Sequence, residues 1–283
     1  MTQRDRNWLL LAPCAAWFLV MLVLPLIVVF VFSFGDRGPA GGYVPDFSLD
    51  NYAALPTRLT AFQNTLILAP LGTFIAMLIA YPLAYQLALR TDPRWKTVLL
   101  VLVIVPFWTS ILIRSYAWLY ILGGNGLPAL LDALGIEGVR LIYTPFAVTV
   151  GIIYGYLPLM VFPIYVALEK LDTRLLEAAS DLGARPWATF VQVTLPMSLS
   201  GIATGCLLVF ILLMGEFLIP MLLGGGKVYF VGNALVDLFV QSRNWAFGSA
   251  IAVTLIVIML VSVTIYMRLI ARLSRQRDDV ALM

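Results

Sequence analysis

The 283-residue sequence contains no histidine, only two cysteines (Cys14 and Cys206) and few charged residues. Without histidine there is no zinc site of the His/Cys type and no Ser-His or Cys-His catalytic pair. Both cysteines lie inside apolar runs, and two cysteines do not make a disulfide framework. Charged residues are 12% of the chain, against roughly 25% in soluble globular proteins, and 61% of residues are hydrophobic. The composition therefore excludes a water-soluble fold and predicts an integral membrane protein.

Six apolar runs are long enough to cross a bilayer as helices. A hydrocarbon core about 30 Å thick needs about 20 apolar helical residues. The runs lie near residues 8–34, 61–89, 97–121, 145–168, 197–223 and 247–271. None shows the period-two alternation of a strand, and all are longer than the roughly ten residues that a barrel strand needs. The sequence therefore predicts an all-α integral membrane protein with six transmembrane helices.

The first apolar run also has features of a signal peptide. Arg4 and Arg6 precede it, and residues 11–14 (LAPC) resemble a lipoprotein cleavage box. However, Pro13 stands where a small residue is expected, and the apolar run continues for about 20 residues beyond Cys14. We expect a first transmembrane helix.

Lysine and arginine are distributed unequally between the two sides of the predicted spans. Cytoplasmic loops of membrane proteins carry the excess of these residues. One side holds Arg4, Arg6, Arg90, Arg94, Lys96, Lys170, Arg174, Arg185, Arg268, Arg272, Arg275 and Arg277, and the other holds Arg37, Arg58, Arg140, Lys227 and Arg243. The bias predicts that both termini are cytoplasmic.

The spans and loops predict a simple division of the chain. Residues 1–60 make the first transmembrane helix and an outer loop, residues 61–271 make a five-helix core, and residues 272–283 make a cytoplasmic tail. Within the outer loops, residues 126–136 and 228–240 have the pattern of short amphipathic helices near the membrane interface. Such surfaces either dock a partner or shield the top of the bundle.

The long inner loop, residues 168–196 (LEKLDTRLLEAASDLGARPWATFVQVTLP), predicts a helix, a break and a second helix. Asp172 or Thr173 can cap the first helix, Gly183 supplies a left-handed C-terminal position, and Pro186 can begin the second helix. Leu175, Leu176 and Ala179 form an apolar stripe on the first helix. A short helix between two spans cannot bury such a stripe alone, so it contacts either the membrane surface or a soluble partner.

This loop resembles the EAA signature of the permease subunits of bacterial ATP-binding-cassette (ABC) importers. Glu177-Ala178-Ala179 is followed after three residues by Gly183, and then by Val193 and Leu195-Pro196. The one departure is Val193, where isoleucine is usual. The resemblance implies the type I ABC importer permease (MetI-like) fold, in the bacterial cytoplasmic (inner) membrane.

The resemblance also implies how the chain works. The EAA helix is then the coupling helix that sits in a groove of a cytoplasmic ATPase, with Glu177, Ala178, Ala179, Asp181 and Gly183 at the contact. The implied partners are a second permease subunit, two ATPase subunits, an extracytoplasmic substrate-binding protein and membrane lipid, but no nucleic acid. The sequence has no GxxxxGK[ST] phosphate loop. We therefore expect no enzyme activity, no catalytic residue, no metal and no cofactor in this chain, with ATP and Mg²⁺ bound by the partner ATPase.

Four further stretches resemble spermidine/putrescine permeases: residues 105–118, 168–184, 215–226 and 244–250. The resemblance implies import of polyamines by alternating access. Permeases for opines, phosphonates and other small solutes share the architecture, so these substrates stay open. A secondary transporter driven by an ion gradient would need intramembrane carboxylates in repeated halves, and Glu216 is the one acidic residue deep in a predicted span.

Arg114 and Glu216 are predicted at nearly the same height, toward the outer ends of spans three and five. A charge at the bilayer centre costs at least about 2.5–3.5 kcal/mol, so both side chains should face protein or water. Three interpretations stay open. The two groups form a structural ion pair, or Glu216 faces the translocation path and attracts a cationic substrate, or Arg114 extends to the outer interface.

Aromatic and small residues add two further hypotheses. Tyr116 and Trp118 belong either to an interfacial aromatic belt or to a vestibule that offers cation–π contacts to an ammonium group. Glycine pairs four residues apart permit close helix approach in lipid, and they predict packing surfaces on spans four and five. These glycines are Gly151, Gly155, Gly201 and Gly205.

Overall fold

The computed structural model describes residues 3–281, with side chains described for residues 11–272. Within this part, four helices are long and apolar enough to cross a membrane: Leu11–Phe32, Leu55–Arg90, Pro145–Glu169 and Trp245–Arg272. Two further pairs of helices reach this length only if each bent pair counts as one span. The helical membrane fold is confirmed, and two of the six predicted spans are broken.

The helices are α1 (Gln3–Phe18), α2 (Leu24–Phe32), α3 (Asp50–Ala53), α4 (Leu59–Tyr85), α5 (Pro93–Trp108), α6 (Ile111–Leu122), α7 (Leu127–Ala133), α8 (Pro145–Glu169), α9 (Thr173–Asp181), α10 (Pro186–Thr189), α11 (Leu195–Met197), α12 (Leu199–Met214), α13 (Leu218–Leu223), α14 (Val231–Val236) and α15 (Trp245–Ala281). Single π-helical turns join or extend several of them, at Leu19–Val23, Gln86–Arg90, Phe190–Thr194 and Asp237–Gln241. Two short strands, β1 (Asp36–Arg37) and β2 (Tyr43–Val44), pair antiparallel.

The predicted third span, 97–121, is not one helix. α5 and α6 meet at an angle of 90°, with Thr109 and Ser110 in extended conformations between them. Pro106 has no N–H to donate within α5. The Pro106 carbonyl oxygen accepts hydrogen bonds from the Thr109 hydroxyl (2.6 Å) and the Thr109 amide (3.3 Å). These two bonds close the end of α5. The expectation of a continuous helix here is wrong.

The predicted fifth span, 197–223, is broken twice. The helical segment Pro186–Met197 meets α12 at an angle of 61°, with Ser198 between them. α12 then ends at Met214, and after Gly215, Glu216 and Phe217 the short helix α13 begins. Glu216 therefore lies between two helices and not within a continuous span.

The first compact unit combines the residues up to Leu59 with Ala234–Val261. Its β1–β2 hairpin, which was not predicted, stacks the Tyr43 ring on the Phe32 ring with centroids 4.0 Å apart. The Gly42 amide donates to the Arg243 carbonyl oxygen (2.7 Å), and Arg37 donates to the Ser242 carbonyl oxygen (2.8 Å). These bonds fix the hairpin against the turn that precedes α15.

The second compact unit combines Thr60–Asn233 with the residues from Ser262 onward. Small residues line the buried side of α4, where Ala69, Ala76, Ala80 and Ala84 are fully buried. Larger side chains from α8 and α12 approach the same helix at Gly72, where a Cβ would lie 3.1 Å from Ile152 and 3.5 Å from Leu213. The predicted division at residues 60 and 271 follows chain order, whereas the compact units do not, and it stays a prediction.

Candidate coupling loop and translocation-path residues

The first helix of the inner loop forms where its end signals predict. The Asp172 side chain accepts a hydrogen bond from the Arg174 amide (3.0 Å), so Asp172 is the N-cap of α9. This bond satisfies one of the amides that a helix start leaves without an intrahelical partner. The choice between Asp172 and Thr173 is thereby resolved in favour of Asp172.

The C-terminal end of α9 is a Schellman motif built on Gly183. Gly183 has φ +78°, its amide donates to the Ser180 carbonyl oxygen (2.9 Å), and the Ala184 amide donates to the Ala179 carbonyl oxygen (3.0 Å). Pro186 then occupies the first turn of α10. The predicted helix, reversal and second helix are all confirmed, and the reversal sets the direction of α9.

The two faces of α9 have different surroundings. Leu176, Ser180 and Ala184 line a cavity of about 310 Å³ together with Arg90 and Phe190. On the other side, Leu175 is 45% exposed and Leu182, just after the helix, is 89% exposed. Glu177 is exposed as well. One side of α9 thus faces the rest of this chain, and the other side leaves apolar surface exposed.

An aromatic cluster joins the second helix of the loop to the inner end of α4. The Phe190 ring packs edge-on against the Tyr81 ring (centroids 5.6 Å apart) and is stacked with the Trp187 ring (5.4 Å). Tyr81 also hydrogen-bonds Ser198, the residue at the bend before α12 (2.9 Å). This cluster was not predicted from sequence, where the one available signal is the spacing of Tyr81 and Tyr85, which places both on one helix face.

The side chain of Glu216 is buried and accepts four hydrogen bonds. Its Oε1 accepts from the amides of Phe217 (3.0 Å), Leu218 (2.8 Å) and Ile219 (3.2 Å), and its Oε2 accepts from the Tyr156 hydroxyl. The residue is 6% exposed. A carboxylate with this many donors is stable in a buried position because hydrogen bonds replace its hydration. Glu216 therefore fixes the start of α13 and ties it to α8.

Asn233 braces the same corner from another direction. Its side-chain nitrogen Nδ2 donates to the Phe217 carbonyl oxygen (2.7 Å), and its side-chain oxygen Oδ1 accepts from the Phe230 backbone amide (3.0 Å). Next to it, a Cβ on Gly232 would lie 2.5 Å from the Glu216 carbonyl oxygen. Tyr156, Asn233 and Gly232 were not predicted as site residues, since their partners are distant in sequence or belong to the backbone.

The proposed ion pair between Arg114 and Glu216 is not formed. Arg114 Nη1 donates to the Gly155 carbonyl oxygen (3.4 Å), and its buried Nε has no hydrogen-bond partner. Gly155 and Tyr156 are neighbours in α8, so the two ionisable side chains reach the same turn of α8 without pairing. The Glu216 carboxylate accepts four other hydrogen bonds in place of one from Arg114.

The two aromatic candidates differ in their surroundings. Trp118 is half-buried and packs edge-on against the Tyr154 ring, with centroids 5.5 Å apart. Tyr116 is 57% exposed. Of the two, Trp118 lies against the helix that carries Gly155 and Tyr156.

The four glycines predicted to lie at packing surfaces differ in how closely a neighbouring helix approaches them. A Cβ on Gly201 would come within 2.5 Å of the Pro163 carbonyl oxygen, and one on Gly205 within 2.9 Å of the Met160 sulfur, both in α8. A Cβ on Gly151 would meet Leu223 at 2.5 Å, whereas one on Gly155 would lie 3.5 Å from Ile219. Gly201 and Gly205 thus set the approach of α12 to α8.

No group of three or more His, Cys, Asp or Glu side chains in the described part could hold a metal ion.

The membrane helices are broken, and a capped amphipathic helix lies between two of the spans. Together these features indicate a transport subunit. The chain belongs to the family of binding-protein-dependent transport system inner membrane components, whose model matches residues 7–278. This confirms the assignment to the permeases of ABC importers.

Two relatives have names that state what they transport. The chain is 40% identical to the spermidine/putrescine transport system permease protein PotB of Haemophilus influenzae, over 92% of this chain and 93% of that protein. It is 38% identical to PotB of Escherichia coli, over 89% and 93% of the two chains. A more distant relative, the molybdenum transport system permease protein ModB of Azotobacter vinelandii, is 31% identical over 66% of this chain and 83% of that protein.

Solved structures share the fold. A chain of a bacterial ABC transporter that imports the acidic polysaccharide alginate superposes with a TM-score of 0.76, at 20% identity, over 95% of this chain and 96% of that chain. The same kind of transporter in complex with a periplasmic protein bound to an alginate pentasaccharide gives a TM-score of 0.74 at 19% identity, over 93% of both chains. At these identities the likeness establishes the fold alone.

Proposed function

We propose that this chain is a permease subunit of an ATP-driven importer of polyamines such as putrescine and spermidine. The observation that carries the substrate class is the identity of 40% to a spermidine/putrescine permease over nearly the whole of both chains. The importer would take its cargo from an extracytoplasmic binding protein and release it into the cytoplasm.

The contact with the ATPase is assigned to α9. The helix is capped at both ends, so its direction is fixed, and Leu175, Leu182 and Glu177 project away from the cavity that its other face lines. Two exposed leucines and an exposed carboxylate at α9 suit a groove with an apolar floor and a cationic rim. Two ATPase subunits would bind and hydrolyse ATP with Mg²⁺, one beneath this chain and one beneath a second permease subunit.

The transport cycle proposed here is alternating access. Closure of the ATPases on ATP would draw the coupling helices together, and hydrolysis would reset them. In this chain the movement of α9 would pass through Phe190, Tyr81 and Ser198 to the bend before α12. The excess of arginine and lysine on the coupling side supports cytoplasmic termini.

Arg114, Trp118, Tyr116 and Glu216 are proposed as the translocation-path group, with separate roles. Glu216 holds the corner between α12 and α13, since its carboxylate accepts hydrogen bonds from Tyr156 and three amides. The aromatic faces of Trp118 and Tyr116 are suited to an ammonium group. Arg114, with a buried Nε that lacks a partner, is the group whose contacts have room to change during a cycle.

The experiment is uptake into proteoliposomes that contain the complete transporter. Labelled putrescine and spermidine are offered with the binding protein outside and ATP inside, and we expect ATP-dependent accumulation. The matched control is the same complex with Glu177→Arg, which keeps the membrane fold but reverses the charge of the proposed ATPase contact. Accumulation without ATP would contradict the class of transporter.

A second candidate is the same class of importer for another small solute. The 31% identity to a molybdenum permease shows that relatives of this chain serve unlike solutes. In the same proteoliposomes, ATP-dependent uptake of an opine or a phosphonate with no uptake of either polyamine would establish this alternative.

A further inference from the structure

A cavity of about 310 Å³ lies at the end of α8 opposite the coupling loop. Leu122 and Pro128 line it from the side of α6 and α7, and Arg140, Tyr143 and Lys227 line it from the segments before α8 and after α13. α8 spans Pro145–Glu169, and the coupling loop follows its C-terminal end. The cavity therefore opens on the side of the membrane away from the ATPase contact.

Two cations without partners line this cavity. Neither Arg140 nor Lys227 makes a side-chain hydrogen bond or ion pair with any described residue, and both are exposed. By contrast, Arg58, another cation predicted on this side, is paired with Asp237 (3.3 Å). The acidic residues of the adjoining loop, Asp132 and Glu137, do not line the cavity. The cavity is therefore a place of positive charge that the chain itself does not neutralise.

The wall of the cavity is held in a strained conformation. Tyr143 has φ +61°, a left-handed value that a large aromatic residue rarely adopts, and its amide donates to the Leu223 carbonyl oxygen (3.0 Å). The Tyr143 ring lies over Gly225, where a Cβ would come within 2.2 Å of a ring carbon. The glycine turn before Lys227 is thus required for the ring position. Strain of this kind is retained where the surroundings fix a functional site.

The charge of the cavity indicates its ligand. Guanidinium and ammonium groups at a concave site bind carboxylates through charge-assisted hydrogen bonds. A polyamine cargo carries positive charge and would be repelled, so the cavity does not suit the cargo that the proposed function assigns. An acidic side chain of a partner on this side of the membrane does suit it.

We propose that Arg140 and Lys227 receive acidic side chains of the extracytoplasmic binding protein and anchor its docking at this cavity. The inference rests on the proposed function for the side of the membrane and for the existence of that partner. Because both cations are exposed, they act mainly on the rate of association and on its salt dependence.

The first test measures binding of the binding protein to the complete transporter in nanodiscs. Arg140→Gln and Lys227→Gln should each weaken binding about three- to fivefold at low ionic strength, chiefly through slower association. The difference should shrink at 1 M salt, where the screening length is about 3 Å. Arg243→Gln, which removes an outer cation remote in sequence from the cavity, is the control and should leave binding within twofold.

The second test uses the position of the lysines. The chain has three, Lys96, Lys170 and Lys227, and the first two flank the inner ends of predicted spans. A water-soluble carbodiimide joins an amine to a carboxylate without a spacer. An amide cross-link between the binding protein and Lys227 should therefore form in the docked complex, and mass spectrometry identifies it. Lys227→Arg should keep the affinity but lose the cross-link.

The outcomes separate this inference from the function on which it rests. If the binding protein fails to bind the unaltered transporter or to stimulate its ATPase, the proposed function is wrong. If it binds and stimulates normally, but both glutamine variants bind as the unaltered transporter does and no cross-link forms at Lys227, the docking site alone is overturned.

Discussion

Tyr156 of α8 donates its hydroxyl hydrogen to Glu216, and so joins the middle of one membrane helix to the corner between two others. Both residues belong to the same compact unit. The carboxylate in turn accepts hydrogen bonds from the amides of Phe217, Leu218 and Ile219 at the start of α13. The Tyr156 hydroxyl therefore contributes, together with Asn233, to the geometry of the corner.

We expect Tyr156→Phe to destabilise the purified complex. The change removes a donor from a buried carboxylate, and a hydrogen bond to a charged group contributes about 1.5–3 kcal/mol. The melting temperature should fall by several degrees. The matched control is Tyr154→Phe, since the Tyr154 hydroxyl forms no hydrogen bond within the described residues. Equal losses for the two variants would show that Glu216 does not depend on Tyr156.

Substitutions of Glu216 should follow the hydrogen bonds and not the charge alone. Glu216→Gln keeps one carbonyl oxygen for the three amides, whereas Glu216→Ala leaves them buried and unpaired, at a cost of about 1–3 kcal/mol for each. We expect the alanine variant to lose much more thermal stability than the glutamine variant. A glutamine variant as unstable as the alanine variant would indicate that the negative charge itself is the stabilising element.

Gly183 allows a test of the reversal that sets the direction of α9. Its φ of +78° strains any residue with a branched Cβ, while a Cβ there would meet open space. Gly183→Val should reduce the amount of ATPase that co-purifies with the permease, and Gly183→Asn should not, because asparagine tolerates the left-handed conformation at little cost. Equal recovery of the ATPase with both variants would argue against docking at this helix.

The close contact of α12 with α8 predicts a contrast between two glycines. Gly201→Ala would place a methyl group 2.5 Å from the Pro163 carbonyl oxygen, so the helices must separate. Gly155→Ala would meet Ile219 at 3.5 Å, an ordinary contact distance. We expect a clear fall in melting temperature for Gly201→Ala and little change for Gly155→Ala. The reverse order would mean that the two helices do not pack through Gly201.

The coupling loop was predictable from sequence because its structure is determined locally. Asp172, Gly183 and Pro186 each act on the backbone within a few residues, by capping, by a left-handed turn and by starting a helix. The family signature covers the same residues. Here the local signals and the resemblance point to one structure, and the structure agrees.

The contacts of Glu216 were not predictable in the same way. Its partner Tyr156 is 60 residues away, and whether the two meet depends on the rotation of α8 about its axis. Mean hydropathy also gives no sign of a break, since runs 97–121 and 197–223 are predominantly apolar over their whole length. The available signals of a break were Pro106 with Thr109 and Ser110 in one run and Gly215 in the other. The apolar composition of the two runs nevertheless favoured the prediction of continuous helices.

The 90° break at Thr109 and Ser110 limits what can surround the assembled permease. α5 begins at Pro93 and has 16 residues, so the break lies about 24 Å along the helix, at a depth where acyl chains offer no hydrogen bonds. Both residues are exposed on the isolated chain. An interrupted backbone at that depth persists only where it is hydrated or covered by protein. The surface around Thr109 and Ser110 is therefore not in contact with lipid in the assembled permease.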